Sequence, residues 1–219
     1  MNLKNLIATA VAGALAIGAS SAFAGTVSYD FTSVIGQYTG QSTPLVVNGA
    51  TFSSPSDAAS NALGLGQPGT YYASANNLYS SALGSSILST AGYGSLVPDS
   101  TLTINFNGAS QDGIAFAFAL GTSSGGEQLV VTTNAGTTTT LTSFTTDAAG
   151  YPEGLFSLTS VPNFTSVTIT ATDSLGAQDL AIGSLTTTPV PLPGTLPLLL
   201  SGIAGAGLFA RRRRGVTPA

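Results

Sequence analysis

Residue-by-residue alternation of polar and apolar side chains runs through the middle of this 219-residue chain. Thr101-Leu102-Thr103-Ile104-Asn105-Phe106 alternates polar with apolar, and Thr165 to Thr172 does the same. Gly113 to Leu120 alternates small with large apolar residues. Successive side chains of a strand point to opposite faces, so each stretch predicts a strand with one face in a core. Further strands are expected at Thr26 to Phe31, Leu45 to Phe52, Gln128 to Thr133, Thr137 to Leu141, Leu155 to Leu158 and Asp179 to Thr186. The breaks between them, such as Asn134-Ala135-Gly136 and Asp147-Ala148-Ala149-Gly150, carry turn chemistry. Many short strands at this spacing predict an all-β domain, an antiparallel β-sandwich or jelly roll.

Two kinds of segment depart from that rhythm. Ser53 to Pro98 holds Leu63, Leu65, Leu78, Leu83, Ile87 and Leu88 without clean alternation. It reads as a long decorated connection, a surface lid with a short helix near Asn77 to Ser89. Thr186 to Pro189 reads as the start of an extended linker. The two ends are different again. Leu6 to Ala19 is apolar behind Lys4, and Ala22-Phe23-Ala24 precedes Gly25. That is the layout of a secretory signal peptide, residues 1–24, cut between Ala24 and Gly25. Near the other end, Leu196 to Ala210 is a fifteen-residue apolar run followed by Arg211, Arg212, Arg213 and Arg214. As a helix it is about 22 Å long, short for a bilayer unless arginine stems snorkel and the bilayer thins. The four arginines resist translocation and act as a membrane stop. The expected organisation is therefore 1–24 signal peptide, 25–188 β-sandwich, and 189–219 tail with a transmembrane helix at 196–210.

Charge sharpens this division. The five basic residues are Lys4 and Arg211 to Arg214, while all nine acids lie between Asp30 and Asp179. The region between the ends thus has nine acids against no bases, a formal charge of −9. Such a surface cannot neutralise phosphates, which excludes nucleic-acid binding. Polyanions are repelled, so neutral glycans or other proteins are the compatible partners.

The same composition removes most catalytic devices. With no His and no Cys, imidazole-based triads, thiol nucleophiles and the usual zinc sites are absent. Paired carboxylates remain, and Glu127 and Glu153 are the pair to consider for glycoside hydrolysis. Both follow turn sequences, where solvated acids are expected, so the chain reads as non-enzymatic. Calcium prefers oxygen ligands in loops of β domains. Asp30 on the first strand and Asp173 and Asp179 around the last hairpin form a candidate site if the first and last strands are neighbours. Otherwise they are turn residues, and no cofactor is expected. Tyr71, Tyr72, Tyr79 and Tyr93 are candidates for stacking on sugars, set against the plainer reading that they pack under the long connection.

Val190-Pro191-Leu192-Pro193-Gly194, the apolar run and the arginine run stand in fixed order. In that order they resemble the PEP-CTERM sorting signal, in the variant that begins Val-Pro-Leu-Pro. Leu192 stands where the family's name motif has glutamate, and Gly194 replaces the variant's usual alanine. The resemblance implies recognition and cleavage by an exosortase, a membrane-embedded transpeptidase-like enzyme. It also implies transient anchoring and delivery to the cell surface or to the exopolysaccharide matrix of a biofilm. The function expected is that of an exported, non-enzymatic surface or matrix protein, whose partners are extracellular polysaccharide or other matrix proteins. A carbohydrate-binding module for neutral glycan is the alternative.

Overall fold

A computed structural model describes residues 25–39, 44–54, 71–89, 101–121, 125–174, 176–177 and 179–190. These residues contain strands and two short 3-10 turns, Phe31–Val34 and Ser81–Leu83, but no α-helix. The strands are β1 Val27–Tyr29, β2 Tyr38–Thr39, β3 Leu45–Val47, β4 Ala50–Ser53, β5 Tyr71–Ala75, β6 Ser86–Ser89, β7 Thr101–Asn105 and β8 Gln111–Leu120. Then follow β9 Gln128–Thr133, β10 Thr138–Leu141, β11 Thr145–Thr146, β12 Pro152–Phe164, β13 Ser166–Asp173, β14 Gly176–Ala177 and β15 Leu180–Pro189. Gly25–Val190 is a compact unit of its own.

The strands form two sheets. Sheet A runs β11-β12-β8-β15-β6-β5-β2, with β1 paired to β15; sheet B runs β10-β9-β13-β7-β4-β3, with β14 on β13. Every pairing is antiparallel. The all-β, two-sheet expectation is therefore met, and the first strand does lie beside the last, Val27 opposite Thr187. The core lies between the inner faces. Phe116, Phe118, Leu120, Ile182 and Leu88 come from sheet A, and Leu102, Ile104, Val131, Ile169 and Phe52 from sheet B. Rings interlock through it: Phe31 meets Phe52 edge-on at 5.4 Å, and Phe116 stacks on Phe156 at 5.0 Å. Each such buried ring contributes about 2 kcal/mol through area removed from water.

Four expectations change. The stretch from Leu45 to Phe52 is a hairpin, β3 and β4, rather than one strand. Asn48 and Gly49 turn it with φ of 46° and 80°, the left-handed pair that suits a two-residue hairpin loop. No helix spans 77–89: one 3-10 turn precedes β6, which is inserted between β15 and β5. Gly84, at φ 85°, breaks any helical path there. The expected linker from Thr186 to Pro189 is the end of β15, and Val190 N–H donates to Ser110 O at 2.8 Å. Finally, Glu153 is a buried residue of β12 rather than a solvated loop acid, only 7% exposed. The signal peptide, Pro191 to Gly194, the apolar run 196–210 and the arginines lie outside the described residues. Among the described ones no helix is long and apolar enough to cross a membrane.

Candidate functional site

The two sheets turn very different outer faces away from the core. On sheet A the outward residues of β8 and β15 include Ala117, Ala119, Ala181 and Gly183, paired in register. Their smallness lets the segment between β5 and β6 lie directly on them. Leu83 and Ile87 pack with Ala117, Ala119 and Ala181 into a second apolar cluster, with Tyr79 at its margin. At Gly183 a Cβ would collide with the Leu83 backbone carbonyl. This accounts for Ala117 and Ala119 in the small-large alternation: the large side chains fill the core, and these two small ones admit the covering segment.

Polar groups hold that segment in place. The Asn76 side-chain amide donates to Ser80 O at 3.0 Å and Gly84 O at 2.9 Å, while its oxygen accepts Tyr79 N–H at 3.1 Å. The Glu153 carboxylate accepts Ser80 N–H at 2.9 Å. Ser184, in a bulge of β15 with φ 48°, donates its hydroxyl to Ala82 O at 3.1 Å. Asp30 borders the same region, accepting from Thr32 N–H at 2.9 Å, Thr32 Oγ1 at 2.6 Å and Ser86 Oγ at 2.9 Å. The Thr32 hydroxyl above all, then its N–H and Ser86, keep the Asp30 carboxyl below the usual carboxylate range.

The structure does not bring the three candidate calcium ligands together. Tyr29 is opposite Leu185, so Asp30 sits one step beyond, near Ser184. Asp179 precedes the first residue of β15, roughly 16 Å further along at ~3.3 Å per residue. Asp173 ends β13 in sheet B, where it pairs with Gly176. Among the described residues no group of three acids, His or Cys is placed to hold a metal ion. Glu127 and Glu153 are not assembled into a pair either. Glu127 precedes β9 of sheet B and accepts Gly125 N–H at 3.1 Å, whereas Glu153 belongs to sheet A beneath the covering segment.

Among the described residues, Tyr71, Tyr72 and Tyr79 do not form a stacking platform. Tyr71 is fully buried in the core, and Tyr72 is half-buried on β5. Tyr79 meets Tyr151 edge to face, 5.1 Å apart with planes at 73°. Burial first, then Tyr151, Asp179, Glu153 and Asp147 nearby, push the Tyr79 phenol well above its usual range. Tyr93 lies outside the described residues.

Sheet B presents the open face. Its outward positions form rows that cross the strands. One row runs Thr138, Thr132, Thr168, Thr103 and Ser53. The next runs Thr140, Val130, Thr170 and Thr101. A third has Ser166, Asn105, Thr51 and Val46. All are partly or fully exposed, and none is charged. Hydroxyls meet across strands: Thr132 with Thr138 at 3.2 Å, Thr101 with Thr170 at 3.4 Å, and Thr103 with Thr168 at 3.5 Å. The sequence shows the Thr-rich alternation; the pairing order that gathers five strands' worth of it on one face had to come from the fold.

No family model matches the chain, and no curated protein matches it. Among solved structures it is similar to the K2 cleaved adhesin domain of Lys-gingipain, at 14% identity and a TM-score of 0.41, covering 74% of this chain and 97% of that one. It is also similar to a family 89 glycoside hydrolase from Clostridium perfringens, at 7% identity and a TM-score of 0.32. That second likeness covers 66% of this chain but 14% of the hydrolase. Neither superposition is close enough to bear on what this chain does.

What the arrangement offers chemically is a contrast between a closed surface and an open one. The carboxylates of Asp30, Glu127, Asp147 and Glu153 fasten turns and the covering segment. The hydroxyls of sheet B face solvent in ordered rows, with neither a cation nor an anion among them.

Proposed function

We propose that this is an exported, non-enzymatic surface or extracellular-matrix protein. In this reading residues 1–24 direct export through the inner membrane and Gly25 becomes the first residue. The 196–210 segment holds the chain transiently in the membrane, and an exosortase processes it at the Val190–Gly194 motif. The observation that carries the reading is the fixed order of proline motif, apolar run and Arg211 to Arg214 directly behind a sandwich with no Lys, Arg, His or Cys.

Two features of the fold support it. Val27 lies opposite Thr187, so Gly25 and Val190 leave the sandwich at one end, convenient for a domain tethered and trimmed at a membrane. The separation of Glu127 from Glu153 on different sheets favours a scaffold over a hydrolase. The role that fits is structural or adhesive, within a layer of exopolysaccharide.

Mass spectrometry of the protein recovered from the culture tests this. The expected species begins at Gly25 and lacks Arg211 to Arg214. Surface protein with an intact C-terminal peptide overturns the processing step. Purified residues 25–190 are expected to leave the native polysaccharide uncut; depolymerisation that disappears in Glu127→Gln or Glu153→Gln would overturn the scaffold role.

A further inference from the structure

We propose that the outward face of sheet B is the surface by which this domain holds a neutral glycan, an uncharged and polyhydroxylated polymer. The inference names the partner for the surface-protein reading above and rests on that reading only for where the polymer is met.

Three observations lead to it. The first is order. Thr132, Thr138, Thr168 and Thr103 occupy successive strands in one row, with Thr170 and Thr101 in the row beside them. Neighbouring strands are ~4.8 Å apart and same-face residues ~6.7 Å apart along a strand, so the hydroxyls form a two-dimensional array. The second is chemistry. Each threonine sets a methyl beside a hydroxyl, as a pyranose ring sets C–H beside O–H. A hydroxyl has one proton to give and two lone pairs. The Thr132–Thr138 and Thr103–Thr168 contacts, at 3.2 and 3.5 Å, therefore leave capacity for a ligand. Threonine is also stiff at χ1, so little freedom is lost when the array binds.

The third observation is charge. The chain has nine acids, yet none stands at an outward position of β4, β7, β9, β10 or β13. Asp147 and Glu153, for example, serve the β11–β12 turn and the segment over sheet A. A polyanion is repelled by the acidic domain, and a polycation finds no counter-charge on this face. An uncharged polymer is its electrostatic complement. Single hydroxyl contacts are weak, so retention comes from many along one chain.

Gel electrophoresis of residues 25–190, a self-contained unit, through gels containing hydroxyethyl cellulose, dextran, galactomannan or alginate tests the proposal. Retardation is expected in at least one neutral polymer and not in alginate. The triple variant Thr103→Val, Thr132→Val, Thr168→Val keeps shape and strand propensity while removing hydroxyls, and is expected to weaken binding at least tenfold. Thr168→Val alone, expected to weaken it a few-fold, keeps the test valid if the triple variant does not fold. Ser157→Val, at an exposed outward position of sheet A opposite Ala115, is expected to change nothing. Equal mobility in all gels overturns the proposal, as does retardation by alginate alone or neutral-glycan binding that survives the valine substitutions. No exosortase or membrane enters this experiment, so its failure is separate from a failure of the processing reading.

Discussion

The outer faces of the two sheets solve opposite problems with similar local sequence. Ala115-Phe116-Ala117-Phe118-Ala119 and Thr101-Leu102-Thr103-Ile104 both alternate, and both send their large residues to the shared core. The difference lies in what is left outside. Alanine and glycine on sheet A allow another piece of backbone to approach, and residues 76–85 do so through Leu83, Ser80 and Ala82. Threonine on sheet B occupies the same geometric positions with a group that hydrogen-bonds, and no described segment covers it. One face is therefore built for stability and the other is available for contact. Substitutions on the two should separate accordingly.

The sharpest break of the comparison is Gly183→Ala. A methyl there meets the Leu83 carbonyl, a backbone atom that cannot swing away like a side-chain tip. Overpacking of this kind costs about 3 kcal/mol. For a domain of this size that lowers Tm by roughly 6–12 °C, measurable by calorimetry on residues 25–190. An unchanged Tm would mean that the segment 76–85 does not rest on sheet A.

Next in size is Glu153→Ala. Ser80 N–H loses its carboxylate acceptor in a half-buried position, and an unmet buried donor costs about 2 kcal/mol. The local signature is more specific than Tm. Hydrogen exchange should accelerate at Ser80 and its neighbours, with little change across β7 and β13. Uniform acceleration over both sheets would contradict a role confined to the covering segment.

These two residues also show where the sequence was readable and where it was not. β7, β9 and β13 were legible because their faces differ chemically, apolar inward and Thr outward, so period two is visible without the fold. β6 was not. Ser86, Ile87, Leu88 and Ser89 are all buried, because β6 has core on one side and the covering segment on the other. A strand buried on both faces loses its alternation, and Leu83, Ile87 and Leu88 then imitate helical spacing. Glu153 misled for a related reason: Tyr151-Pro152 before it suggests a loop, but its acceptor role depends on Ser80, 73 residues away. The calcium candidates illustrate the converse. The adjacency of β1 and β15 was foreseeable, but register puts Asp30 and Asp179 at different points along β15.

A smaller effect tests the rim of the covered region. Asp30 joins the first 3-10 turn to β6 through Thr32 and Ser86. Its carboxyl is held below its ordinary range, so the folded chain binds that proton less tightly than the unfolded chain does. The associated stability is complete above about pH 4, the unfolded value, and fades as pH falls through the lower folded value. Asp30→Asn keeps an oxygen that can cap the turn and removes only the charge of an exposed, solvent-screened group, so it should lower Tm slightly at pH 6, by an amount corresponding to a few tenths of a kcal/mol. The gap from the parent should close toward pH 3. A gap that widens on acidification would reverse the assigned sign.

The smallest expected change is on the open face, and it matters because it should be small. Thr103 and Thr168 are directly opposite each other, their hydroxyls 3.5 Å apart, at the outer limit of a hydrogen bond. Replacing both by valine removes donor and acceptor together, so no buried group is left unmet, and valine is at home in a strand. The double variant should thus keep its Tm to within about 0.5 kcal/mol of stability, as surface changes usually do. The contrast with Gly183→Ala is then one of role rather than of residue size, since both substitutions alter outward positions of central strands. If the valine pair instead lowers stability as much as the Gly183 change, the hydroxyl rows hold sheet B together and are not spare capacity for a ligand. Calorimetry on the two variants side by side decides between these roles before any glycan is added.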